Sequence, residues 1–100
     1  MLRITIDQNA ETTLINLEGR ITGLWTAELG RILTELAPTM RNRKLSIDLR
    51  NTTYADAGGI EALRDVYLQS AAEFVTSTPW TEYLAEQIKR QKTNSIEEEL

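Results

Sequence analysis

The chain contains neither cysteine nor histidine. Their absence removes disulfides, thiol nucleophiles, Cys/His zinc sites and the commonest general base. Catalysis would have to rest on carboxylates, lysines, tyrosines or hydroxyls, and no convergent set of these is visible. No enzyme activity, cofactor or metal is expected. No apolar run reaches the roughly 18 residues that read as a membrane span. The opening MLRITID alternates apolar and polar residues and lacks the order of a signal peptide. The expectation is a cytoplasmic protein with no membrane partner. A basic stripe is also missing, which argues against nucleic acid.

What is present suits one small domain. The 100 residues are 41% hydrophobic, enough for a single core. The net charge is −4. Half of it comes from Lys92 set against Glu97, Glu98 and Glu99, in a polar stretch that reads as a disordered acidic tail over 91–100. Residues 1–90 form the domain. Arg41, Arg43 and Lys44 read as a solvated loop before a strand.

Leu2, Ile4 and Ile6 alternate with Arg3, Thr5 and Asp7, the pattern of a strand with one buried face. Thr13, Ile15 and Leu17 repeat it after a turn. Gly19 and Gly23 bracket a short connection. Trp25, Leu29, Ile32, Leu33 and Leu36 then share one helical face, with Thr22 as N-cap and Pro38 as stop. Gly30 sits inside this helix at a cost of about 1 kcal/mol, and close packing against the sheet is the expected reason. Leu45, Ile47 and Leu49 make the next strand. Asp48 alternates with them, facing solvent or bonded to the turn that follows. Ile60, Leu63, Val66 and Tyr67 mark a second helix. Ala72 to Thr76 is a short strand in a third layer. Thr78-Pro79 opens a last helix with Trp80, Tyr83, Leu84, Gln87 and Ile88 on one face. The expected fold is α/β, a mixed sheet of about four strands with helices packed on it, in the order β-β-α-β-α-β-α.

The stretch Thr52 to Gly59 has the most character. Asp56 before Ala57-Gly58-Gly59 suits a helix N-cap, its carboxylate taking a backbone N–H. The two glycines allow close approach, and the helix start could cradle a nucleotide or other anion, although the Asp56 charge opposes that. On the following helix Glu61 and Asp65 stand at i, i+4 as like charges on an outer face, with Arg64 between them pairing weakly with either. Trp25 and Trp80 each open a helix, as core residues or as interface anchors.

Asp48-Leu49 at a strand end, Asp56 in the loop and Gly59 at the helix start resemble the central motif of the STAS family of anti-sigma-factor antagonists. Leu17-Glu18-Gly19-Arg20-Ile21 resembles that family's Leu-x-Gly-x-Ile pattern, and Glu73-Phe74-Val75 with Thr78-Pro79 its fourth strand and third helix. The resemblance covers residues 2–90 and implies a STAS-like sheet, with the family's final strand missing from 91–100. It also implies a regulatory surface controlled by phosphorylation of a loop serine. Ala57 takes that position and Gly58 the second serine, so neither can be phosphorylated. The family's secondary phosphosite would fall near Thr52 or Thr53, where a turn threonine more often has a structural role.

The resulting expectation is a non-enzymatic protein–protein interaction module without its usual switch. Its docking turn would comprise Thr52, Thr53, Tyr54, Asp56, Ala57, Gly58 and Gly59, and its docking helix Glu61, Arg64 and Asp65. The partner would be an anti-sigma factor or switch kinase. An uncovered sheet edge, Trp25 or Trp80 could also hold a homodimer together. The alternative is a small-ligand module that binds a nucleotide or anion at the Asp56–Gly59 helix start.

Overall fold

Two strands, β1 (Leu2–Gln8) and β2 (Thr12–Ile21), open the chain as an antiparallel hairpin. The structure is a computed structural model describing residues 2–40 and 43–90. Arg41 and residues 91–100, on which the expectations of an acidic tail and of an absent final strand fall, lie outside the described residues. Asn9 makes the hairpin turn. Its side-chain oxygen accepts from the N–H groups of Glu11 and Thr12, both at 2.8 Å, the local bonding that favours Asn in turns.

Leu2 stands opposite Gly19 and Gln8 opposite Thr13. Thr13, Ile15 and Leu17 face the core, and Arg3, Thr5 and Asp7 face solvent. β2 then pairs in parallel with β3 (Lys44–Asp48), and farther along the same edge with β4 (Thr52–Ala55). β5 (Glu73–Val75) adds in parallel to β3. The sheet order is β1-β2-β3-β5, with β4 beside the far end of β2. Three helices complete the domain: α1 (Leu24–Leu36), α2 (Ala57–Ser70) and α3 (Pro79–Lys89), with a 3-10 turn over Ala37–Met40 after α1. Ile15, Leu17, Ile21, Leu45 and Ile47 from the sheet, with Leu49 just past β3, meet Leu29, Leu33, Leu63, Leu84 and Ile88 from the helices in one core. None of the described helices is long and apolar enough to cross a membrane.

The α/β class and mixed sheet agree with expectation, but the described residues form five strands in the order β-β-α-β-β-α-β-α. The added strand comes from Thr52–Ala55, expected as a turn. Gly19 adopts φ 105° and the β2–β4 register shifts beside it. This bulge lets β2 continue to Ile21, through the segment expected to be a connection, and supplies an edge for β4. β5 belongs to the same sheet, so there is no third layer.

The helices also depart from expectation in detail. Thr22 receives the Trp25 N–H on its backbone oxygen, 3.0 Å away, and no side-chain cap of α1 forms. Trp25 is half-exposed, and the buried residues of α1 are Leu29 and Leu33. A Cβ on Gly30 would meet nothing within 4 Å, so close packing does not explain that glycine. On α3, Thr81 displaces the aromatics from the core. Thr78 and Thr81 form a capping box, and Thr81 Oγ1 also takes the Ser77 N–H at 3.0 Å. That geometry turns Thr81, Leu84, Ala85 and Ile88 inward, leaving Trp80 half-exposed and Tyr83 mostly exposed.

Candidate functional site

The link from β3 to α2 is bonded along its length. Leu49 N–H donates to Val75 O at 2.9 Å, Thr52 N–H to Leu49 O at 3.0 Å, and Gly19 N–H to Asn51 O at 3.0 Å. Asp48 is buried at the end of β3, neither solvent-facing nor free. Its carboxylate accepts from the Arg50 N–H at 2.9 Å and from the Arg50 guanidinium at 3.1 and 2.9 Å. These bonds hold the Asp48 carboxyl below its ordinary range, against the opposing effect of burial.

Thr52 is buried, and its hydroxyl donates to Leu17 O at 2.8 Å. It fastens β4 to β2 and is unavailable to a partner. Thr53 is exposed. Tyr54, also exposed, lies under the Arg20 guanidinium, 5.0 Å from the ring centre. The Asp56 N–H reaches Ile21 O at 3.1 Å and carries the pairing up to the helix.

Asp56 is the N-cap of α2, as its sequence position suggested. Its Oδ1 accepts from Gly59 N–H at 2.8 Å, and its Oδ2 from Gly23 N–H at 3.4 Å. One carboxylate therefore ties the start of α2 to the residue just before α1. The two glycines differ. A Cβ at Gly59 would lie 2.9 Å from the Ile21 carbonyl oxygen, whereas one at Gly58 would meet Asp56 Oδ1 at an ordinary 3.6 Å. Only Gly59 is required by close approach. Ala57 and Gly58 are exposed at the first turn of α2.

This arrangement sets the start of α1 beside the β4–α2 turn. A Cβ at Gly58 would lie 4.0 Å from Thr26 Cγ2. Leu24, 86% exposed, and half-exposed Trp25 follow Gly23 directly. Leu24 was not singled out by the sequence. Its signal was an apolar residue at a helix start, off the stripe that runs through Leu29 and Leu33.

Farther along α2, Glu61 and Asp65 are exposed. Arg64 is not part of that surface. It turns to the end of α3, donating to Gln87 O at 2.7 Å and Ile88 O at 3.3 Å. It thereby adds a bond at the end of α3, where Gln87 O also takes the Arg90 N–H at 3.4 Å. A groove of about 340 Å³ runs between α1 and α2, with Gly30, Leu33, Ala62, Asp65 and Val66 in its walls. Among the described residues no group of three or more acidic side chains is arranged to hold a metal ion.

Neither a protein-family model nor a curated protein matches the sequence. Similarity appears at the level of the fold. An uncharacterised DUF3478-family protein with a SpoIIAA-like fold, from Shewanella loihica PV-4, superposes with a TM-score of 0.57 at 11% identity, over 82% of this chain and 72% of its own. The fold of this chain is SpoIIAA-like. A crystal structure of a protein named Mglu gives a TM-score of 0.58 at 14% identity over 75% of this chain. The chain spans 19% of the length of that structure.

Proposed function

We propose that this domain is a non-enzymatic protein–protein interaction module of STAS type that docks through the surface joining β4, the start of α2 and the start of α1. The observation carrying the reading is Ala57, exposed on the first turn of α2 behind the Asp56 cap. The resemblance to STAS domains puts the phosphorylated serine at this position. A phosphate there would add about −1.5 to −2 charges to a docking face and obstruct an acidic or apolar partner. Alanine offers no oxygen to modify, so the surface stays competent to dock.

Leu24, Trp25 and Tyr54 supply the exposed apolar area, and Thr53, Glu61 and Asp65 a polar rim. A cytoplasmic partner of the anti-sigma or switch-kinase kind fits the family resemblance. The rival reading, a nucleotide or anion at the α2 start, is disfavoured by Asp56, whose carboxylate already takes the Gly59 N–H that an anion would use.

The test compares wild type with Ala57→Asp in capture from native lysate, followed by titration of the captured protein against both. The expected result is a specific partner whose affinity falls about tenfold with the added charge. Equal affinity for the two forms would overturn the docking surface. Quenching of tryptophan fluorescence by a nucleotide would favour the rival.

A further inference from the structure

β1 is an edge strand. Among the described residues it pairs only with β2, and the other side of the sheet ends in β5 and, beside the far end of β2, in β4. An unpaired edge exposes a row of N–H and C=O groups that can accept another strand. Ile6 of β1 is 39% exposed although it belongs to the core-facing row, and Ile4 beside it is only partly buried. Among the described residues the cover over this row therefore falls away along β1 from Leu2 to Ile6.

On the opposite face β1 carries Arg3, Thr5 and Asp7. Arg3 reaches Glu18 at 3.8 Å with its side chain mostly exposed. The Asp7 side chain makes no ion pair or hydrogen bond among the described residues.

The order of these side chains is self-complementary. If two β1 strands run antiparallel about Thr5, Arg3 of each copy stands opposite Asp7 of the other. Ile4 stands opposite Ile6, and Thr5 opposite itself. Opposite charges and branched side chains at directly opposed positions stabilise an antiparallel pair. Moving the centre by one residue to Ile4 or Ile6 sets Arg3 against Thr5, or Asp7 against Thr5, and loses both charge pairs. A parallel in-register pairing would oppose Arg3 to Arg3 and Asp7 to Asp7, which is unfavourable. Only the Thr5-centred antiparallel register satisfies both faces. It also keeps the apolar rows of the two copies on one face, as alternation along a strand requires.

We propose that β1 is the interface of a symmetric homodimer in which two copies join edge to edge, antiparallel and centred on Thr5, into one continuous sheet. The contact is isologous, with each patch meeting its own copy. It lies on the β1 edge and does not use the Ala57 turn, so Ala57→Asp leaves it intact.

Sedimentation velocity across micromolar to millimolar chain concentrations tests the proposal. Wild type is expected to show a concentration-dependent dimer. Arg3→Asp alone and Asp7→Arg alone each set like charges opposite at two symmetry-related places, and each should weaken dimerisation by about tenfold. The double variant Arg3→Asp/Asp7→Arg restores opposite charges and should recover most of the loss. Circular dichroism checks that all three variants remain folded.

Because the chain has no cysteine, a spin label at Thr5→Cys is unique. Across the dimer axis the two labelled backbones stand about 5 Å apart, whereas labels at Glu73→Cys on the far edge stand roughly 30 Å apart by strand spacing. Strong dipolar coupling at position 5 and weak coupling at 73 support the interface. A monomer at every concentration overturns the proposal. So does a dimer indifferent to both charge reversals, or one with closer labels at 73 than at 5.

Discussion

Gly59 lies so close to Ile21 that a Cβ on it would stand 2.8 Å from Ile21 Cγ2 and 2.9 Å from the Ile21 carbonyl oxygen. Neither the backbone oxygen nor the fully buried Ile21 can yield easily. Gly59→Ala should therefore destabilise the domain by about 1–3 kcal/mol. Gly58→Ala, whose Cβ finds ordinary contacts, should change stability by less than about 0.5 kcal/mol. Urea unfolding of the pair is the check, and equal midpoints would contradict the close approach.

Gly30 gives the opposite sign. Nothing stands within 4 Å of where its Cβ would be, and it is interior to α1. Gly30→Ala should raise stability by about 1 kcal/mol through helix propensity alone, seen as a higher Tm. A lower Tm would mean that the open space over this residue is needed by the fold.

Arg64→Met removes the guanidinium from the Gln87 and Ile88 carbonyls while retaining much of the aliphatic stem. Loss of these charge-assisted bonds should cost about 2 kcal/mol. Amide exchange should accelerate over the last turn of α3 more than in β2. Uniform acceleration would show that Arg64 does not act locally on that helix end.

Asp48 makes stability depend on pH. Its carboxyl is held below the ordinary value of 3.8 in the fold, chiefly by the Arg50 side chain. The stabilisation is therefore complete above the unfolded-state value and is lost as pH falls through the lower folded-state value. Asp48→Asn should be less stable than wild type at neutral pH, and the gap should narrow on acidification below about pH 4. Urea midpoints measured down that range decide it. A constant gap would mean the charge on Asp48 is irrelevant.

Much of this architecture is written locally. Alternation in Leu2–Ile6, Thr13–Leu17 and Leu45–Leu49 identifies three strands, and the Asp56 and Thr78 caps open α2 and α3 where the side chains suggest. Two of the misses have their physical origin in contacts between residues far apart in sequence, and a third in a local cap. Thr52–Ala55 is too short to alternate convincingly and becomes a strand only because β2 extends past Gly19. Arg64 has acidic neighbours on its own helix but bonds to carbonyls 23 and 24 residues away. Trp80 and Tyr83 are the larger apolar groups on α3, yet the Thr78–Thr81 cap sets the rotation of the helix and turns them outward. In the candidate site Asp56 and Gly59 were legible by residue type. Leu24 was not, because its relation to α2 depends on the Gly23–Asp56 contact.

The bonded path from Leu49 through Asp56 to Gly59 means that the turn proposed to dock a partner is held in place by its own hydrogen bonds. Such a surface loses little chain entropy on association, and its free and bound forms should superpose closely. On the proposed docking role, recognition would operate by fit of contour. A partner would have to bring the matching shape or do the adapting itself, and relatives of it that differ by a single bulky side chain should bind less well.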